Sequence, residues 1–237
     1  MNDKIALVTG ASQGLGLETA RQLLLKGFQV VITGRDADRL QEAAKSLPRE
    51  VTTCLLDVTD EKAAAAVAHA VTEQFGRLDV LVNNAGAFFE PTSQAAMTTT
   101  KIATTSIAAF ESSFRNNTLG AVIVTSALLP LLRLSATARV VNVSTSMASL
   151  ANMTQGWPAY RVSKTALNAV TRIFADEMKD STFKINSVSP GWVRTAMGGP
   201  SALRSIEEGA EIIVWAATLP ENGPTGGFFE SGEQVPW

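Results

Sequence analysis

The stretch Thr9-Gly10-Ala11-Ser12-Gln13-Gly14-Leu15-Gly16 joins a short apolar run over 4–9 to an amphipathic segment over about 14–26. A run of that length reads as a strand, and the 3.6-residue periodicity behind it as a helix. Glycines at 10, 14 and 16 permit a tight turn and a close backbone approach. The first amides of the helix would then face an anion, and at the first strand-to-helix junction of an α/β chain that anion is a dinucleotide pyrophosphate. The spacing is GxxxGxG rather than GxGxxG, and alone it also fits an ordinary strand-to-helix turn.

Outward from this loop, short apolar runs alternate with longer amphipathic ones. Strands are expected over 4–9, 28–33, 51–56, 79–83, 139–144, 183–189 and, weakly, 226–229. They carry Val, Ile and Leu at consecutive positions, the pattern of strands buried on both faces of a parallel sheet. Helices are expected over 14–26, 36–47, 60–75, 110–133, 158–179 and 205–218. The last opens with the capping-box pattern Ser205-Ile206-Glu207-Glu208, and Pro158 suits a first helical turn. Alternating strands and helices predict α/β architecture: one Rossmann-type doubly wound domain over 1–237, about seven parallel strands with helices on both faces. Ser and Thr are dense over 92–113, which fits a polar loop or a weak helix start.

Composition narrows the chemistry. Apolar residues make up 46% and charged residues 18% of the 237, with a net charge of −2 at pH 7. This is a globular profile, without a positive field for nucleic acid or anionic lipid. The single cysteine, Cys54, cannot form an internal disulfide, which fits a reducing compartment. One His and one Cys cannot build the common zinc sites, so no metal is expected. A nucleophilic triad would depend on His69, which reads as an ordinary helix residue within 63–71. The longest apolar region, 121–132, is interrupted by Thr125, Ser126 and Pro130 and falls short of the ~18 residues of a membrane span. No targeting segment is visible, and the expectation is a cytoplasmic protein without membrane contact.

The second strand runs out in Ile32-Thr33-Gly34-Arg35. A site selective for NAD wants a carboxylate here to accept from the ribose 2′-hydroxyl, and a carboxylate would repel a 2′-phosphate. The planar guanidinium of Arg35 suits a phosphate, so NADP(H) is favoured over NAD(H). Asp36 reads equally well as the N-cap of the next helix, and Arg35 could instead pair with Asp36 or Asp38. Farther on, Tyr160 and Lys164 stand i, i+4 on one helix face. A phenol of pKa ~10 is a poor base at neutral pH, but an ammonium about 5 Å away lowers it by roughly two units at an effective dielectric near 20. Tyr160 then becomes a proton donor to, or acceptor from, an alcohol oxygen. The two letters alone also fit a chance helix pair.

The glycine loop, Asn83-Asn84-Ala85-Gly86 after the fourth strand, Tyr160 with Lys164, and Pro190-Gly191 after the sixth strand occur in one order. In that order the sequence resembles the short-chain dehydrogenase/reductase family over essentially its whole length. Gly191-Trp192-Val193-Arg194-Thr195, Glu207-Glu208-Gly209-Ala210-Glu211 and the ending Trp237 look most like the carbonyl-reductase branch. The resemblance implies that Gly10, Ser12, Gln13, Gly14, Leu15 and Gly16 hold the pyrophosphate and that Asp57 and Val58 face the adenine. Asn84, Ala85 and Gly86 would line a ribose, and Pro190, Val193 and Thr195 would clasp the nicotinamide. Tyr160 would be the acid/base, and Lys164 would bind the nicotinamide ribose and lower the pKa of Tyr160. Asn117 would hold a water of the proton relay, with Asn116 a helix-start residue.

The sequence departs from the family pattern at the catalytic hydroxyl. That group is normally a Ser three positions after an Asn, and counting from Asn142 the slot holds Thr145, with Ser146 as substitute. Gln13 stands where NADP-preferring relatives often carry a basic residue. The segment between Thr145 and Tyr160 is short and lacks the insertion that keeps some carbonyl reductases monomeric, so a homodimer or homotetramer is expected, paired through helices 110–133 and 158–179. Phe88, Phe89, Met147, Met153, Trp157, Trp192 and Met197 are candidate walls for an apolar ketone or aldehyde. The expected activity is carbonyl reduction on a small-molecule substrate. The alternatives are an alcohol or hydroxysteroid-type dehydrogenase running in the oxidative direction and an NADP-sensing protein without turnover.

Overall fold

A computed structural model describes residues 4–91 and 99–237. Strands β1 (Ile5–Val8), β2 (Gln29–Gly34), β3 (Thr52–Leu55), β4 (Val80–Asn83), β5 (Arg139–Val143), β6 (Lys184–Ser189), β7 (Phe228–Glu230) and β8 (Glu233–Gln234) form one sheet. Its order is β3-β2-β1-β4-β5-β6-β7-β8. Strands β1 to β7 pair in parallel, as expected. The eighth, β8, turns back antiparallel on β7 through Phe229 and Glu230, a short edge strand too polar to be read from the sequence.

The consecutive apolar residues of the inner strands are explained by two packed faces. On one face Ala6, Val8, Val30, Ile32, Val82 and Val141 meet helices α1 (Gly14–Leu25), α2 (Ala37–Ser46) and α7 (Ile206–Ala217). On the other, Ile5, Leu7, Val31, Leu81, Val140 and Ile185 meet α3 (Glu61–Phe75), α5 (Gly120–Leu132) and α6 (Pro158–Glu177). Side chains alternate across a strand, so each buries its apolar residues on both sides. His69 lies exposed on α3. No helix among the described residues is long and apolar enough to cross a membrane.

The expected helix over 110–133 is not continuous. It begins as α4 (Ile107–Phe114), passes through a π-helical turn at Arg115–Leu119, and resumes as α5. Asn116 therefore lies inside a helical run, not at a helix start as expected. The change of pitch turns Asn117 and Thr118 inward, where both are buried. Thr118 Oγ1 donates to Ser163 O at 2.7 Å and ties this turn to α6. Directly after it, Gly120 approaches β3's exit so closely that a Cβ would stand 2.7 Å from Val58 Cγ2.

One feature of the α6 face is polar. Asn83, Asn142 and Ser187 are register partners on adjacent strands. Asn83 Nδ2 donates to Asn142 Oδ1 at 2.8 Å and Asn142 Nδ2 to Thr171 Oγ1 at 2.9 Å, and Thr171 meets Ser187 Oγ at 2.8 Å. These bonds tie the strands and the helix into a single register, although Asn83 Oδ1 is buried without a partner among the described residues.

Candidate active site

The strand order reverses between β1 and β4, and at such a point the loops leaving the two strands diverge and open a crevice. The glycine loop fills one side. Gly10 and Gly14 adopt φ of +63° and +58°, which an L side chain resists. Gly16 permits the close approach: a Cβ there would lie 2.4 Å from Gly10 O and 2.5 Å from Asn84 Nδ2. Thr9 Oγ1 accepts from the amides of Asn84 and Ala85, both at 3.0 Å, and Asn84 Nδ2 donates to Thr9 O at 2.8 Å and Gly10 O at 3.1 Å. The side chain of Asn84 thus braces the loop. Thr9 was not singled out in the sequence, although its place at the loop entrance was visible.

The residues fit a bound dinucleotide. Helices α2, α3, α4 and α7 are capped by the side chains of Asp36, Asp60, Ser106 and Ser205. At α1 the N-cap is Gln13, with no side-chain cap bond and no acidic residue in the first turn. Unpartnered amides at a helix start attract an anion, and Ser12, Gln13, Gly14 and Leu15 surround them. Gly34 lies against Ser12, its Cβ position 3.4 Å from Ser12 Cβ, so Arg35 follows directly at this rim. Arg35 is exposed and forms no ion pair among the described residues, while Asp36 caps α2 through Arg39 N at 3.1 Å and pairs with Arg39 at 3.6 Å. Asp57 Oδ1 accepts from Thr59 N at 2.9 Å and Thr59 Oγ1 at 2.8 Å. The Thr59 amide, its hydroxyl and the charges of Arg35 and Arg115 hold the Asp57 carboxyl below the usual range against the opposing effect of burial. Val58 is buried against Gly120, which leaves only its backbone for a neighbouring ligand.

The far side of the crevice follows β6. Pro190 O accepts from Arg204 Nη1 at 3.3 Å, and Val193 is buried beside Gly209. Thr195 reaches back over the glycine loop, with its Cγ2 3.7 Å from where a Gly14 Cβ would stand. The segments expected to hold opposite ends of one ligand therefore meet.

Between them lie the titratable groups. Lys164 is buried and donates to Val143 O at 2.8 Å, which fixes its ammonium at the end of β5. Gly86 leaves it approachable: a Cβ there would be 3.1 Å from Lys164 Nζ and 3.5 Å from Asn117 Oδ1. Asn117 Nδ2 donates to Ala87 O at 2.9 Å and Ser163 Oγ at 3.1 Å, and its Oδ1 accepts from Ala87 N at 2.8 Å. Ser163 Oγ in turn donates to Tyr160 O at 2.8 Å. The π turn, the segment after Gly86 and the first turns of α6 are thereby locked together. Thr145 is half-buried and accepts from Met147 N at 3.3 Å, which leaves its proton and a second lone pair for another oxygen, whereas Ser146 is exposed.

Burial governs both central pKa values. It pushes the Lys164 ammonium down to about 8 and raises the Tyr160 phenol above its ordinary range. The phenol is thus raised, not lowered by Lys164 as expected, and burial is the cause. Part of that burial comes from Phe88, whose ring stacks on Tyr160 with centroids 3.9 Å apart at 25° and lies 5.4 Å from Trp157. Of the other candidate walls, Met153 lines a cavity of about 360 Å³ with Ile102, Pro158 and Val162 instead. Phe89, Trp192 and Met197 are each exposed over somewhat less than half of their surface.

Residues 4–205 match the family model described as short chain dehydrogenase. The chain is 33% identical to (+)-neomenthol dehydrogenase of Arabidopsis thaliana, covering 98% of this chain and 97% of the relative. It is 32% identical to carbonyl reductase [NADPH] 1 of Rattus norvegicus, covering 98% of each. That alignment runs over 288 positions, so the rat protein carries stretches that this chain of 237 lacks. Among solved structures, the NADPH-bound carbonyl reductase from chicken fatty liver superposes with a TM-score of 0.86 at 27% identity over the whole of both chains. With its fold, its glycine loop and its Tyr160–Lys164 helix in the same frame, the chain belongs to the short-chain dehydrogenase/reductase family, on its carbonyl-reductase-like side.

Proposed function

We propose that the chain is an NADP(H)-dependent carbonyl reductase that acts on ketones or aldehydes. The observation that carries this reading is the juxtaposition of Tyr160, Lys164 and Asn117 in the crevice of a helix start whose N-cap, Gln13, makes no side-chain cap bond among the described residues. The reduced nicotinamide of NADPH would supply the hydride when bound. The chain's own residues do the rest. Gly10, Ser12, Gln13, Gly14, Leu15 and Gly16 receive the pyrophosphate, and Arg35 receives the 2′-phosphate. Asp57 and the Val58 backbone face the adenine, and Ala85 and Gly86 line a ribose that Lys164 binds. Pro190, Val193 and Thr195 hold the nicotinamide end. Thr145 donates to the carbonyl oxygen, and Tyr160 gives that oxygen its proton.

Reduction is the direction that the phenol suits. A phenol is protonated at neutral pH, which is the state that an acid must start from. Relatives named as reductases of NADPH support the same direction and cofactor. The test is a panel of ketones and aldehydes with NADPH and NADH, run on the wild type and Tyr160→Phe. Turnover with NADPH is expected, and Tyr160→Phe should lose roughly 10²–10⁴-fold in kcat while binding NADPH as before. Near-wild-type turnover by the variant would overturn the mechanism.

We also propose that the chain assembles as a homodimer or homotetramer through α4 and α6. On α6, Ala159 is buried and Phe174 packs into the core. What remains exposed is a narrower stripe of Val162, Ala169 and Ile173, with Ile107 and Phe114 on neighbouring α4.

A further inference from the structure

Glu90 is a buried carboxylate that none of these roles uses. It is 7% exposed and lies four residues past Gly86. Its Oε1 accepts from Ala159 N at 3.1 Å and its Oε2 from Tyr160 N at 2.8 Å. Both amides belong to the first turn of α6, where N–H groups have no intrahelical partner and a negative charge is favoured. The helix offers no cap of its own there. Its N-cap position is Trp157, left-handed at φ 47°, with no side-chain cap bond. The same segment grips α6 elsewhere: the Phe88 ring stacks on the Tyr160 ring, and Trp157 Nε1 donates to Pro91 O at 2.9 Å. Tyr160 is therefore held from this one segment by its backbone through Glu90 and by its ring through Phe88.

We propose that Glu90 is a positioning residue for the proton donor. Its two oxygens clamp the amides of Ala159 and Tyr160 to segment 88–91 and so set where the phenol stands against the substrate oxygen. The proposal rests on the reading of Tyr160 as the acid. A donor must come within about 2.6–3.2 Å of the atom that it protonates, and a misplacement of 1 Å can cost on the order of 10²-fold. A carboxylate suits the task because both of its oxygens accept. Glutamine would turn an N–H₂ group toward one of the two amides, which removes one bond and sets donor against donor.

The test compares Glu90→Gln, Glu90→Ala and Tyr160→Phe in the full chain on an aliphatic ketone and an ortho-quinone, with NADPH affinity measured by fluorescence titration. Hydride transfer to the ketone leaves a strongly basic alkoxide that requires a placed acid. The quinone leaves a phenolate-like oxygen with a conjugate-acid pKa of about 10, which hardly requires one. Glu90→Gln is expected to lower kcat on the ketone by about 10- to 100-fold and on the quinone by less than about 3-fold, with NADPH affinity kept within about 2-fold. Glu90→Ala should show the same selectivity more strongly. Equal losses on both substrates together with weakened NADPH binding would show an ordinary structural cap, and unchanged ketone turnover would also overturn the proposal. If Glu90→Ala does not fold, seen as lost circular dichroism, Glu90→Gln decides, because it keeps one bond. A Tyr160→Phe variant that still reduces the ketone would instead overturn the reading of Tyr160, independently of Glu90.

Discussion

Arg35 and Asp36 are neighbours with opposite charges, and the structure separates their tasks. The Asp36 carboxylate caps α2 through the Arg39 amide and pairs with the Arg39 guanidinium. Arg35 is exposed at the rim of the glycine loop and makes no ion pair among the described residues. Charge-assisted bonds to a phosphate contribute about 1.5–3 kcal/mol. Arg35→Ala is therefore expected to weaken NADPH by roughly tenfold to a hundredfold and to leave NADH nearly unchanged, as read by titrating both cofactors. A parallel loss for both would place the arginine's role outside phosphate recognition. Residue chemistry was legible here because the relevant groups are adjacent in sequence. Glu90 was not, because its partner Tyr160 N lies 70 residues away and nothing local to Glu90 marks it as a cap.

At the scale of elements, the strands and helices fall within a few residues of where periodicity places them. The glycine loop is the element most sensitive to a single atom. Adding a methyl at Gly16 would drive it against Gly10 O and Asn84 Nδ2, both held by the hydrogen bonds that knit β1 to the β4 exit. Backbone cannot retreat cheaply, so the loop must open. Gly16→Ala is expected to retain its far-UV circular dichroism and lose at least about 100-fold in NADPH affinity. Wild-type affinity would mean that the loop does not hold the pyrophosphate. The π turn at Arg115–Leu119 was not legible, because the apolar spacing within α4 and within α5 is ordinary and nothing local marks the change of pitch between them. Its effect is nevertheless chemical, since it directs Asn117 at Ala87 and Ser163.

At the scale of the whole molecule, α4 and α6 lie side by side with Ile107, Phe114, Val162 and Ile173 exposed. A two-fold contact would cover both copies of this stripe at once. Light scattering at micromolar concentration is expected to give a multiple of the 25.1 kDa chain mass, and Ile173→Asp is expected to shift it toward the single chain. A wild-type mass of one chain would overturn the assembly. What the sequence determined by itself is the alternation of strand and helix and the parallel sheet, because burial on two faces and turn chemistry are written in neighbouring positions. The tertiary structure alone decided that Glu90 caps the helix of Tyr160, that Phe88 covers its ring, and that Thr195 meets the glycine loop. Those contacts join segments whose only common cause is the order of strands in the sheet, and a one-dimensional pattern does not carry that order.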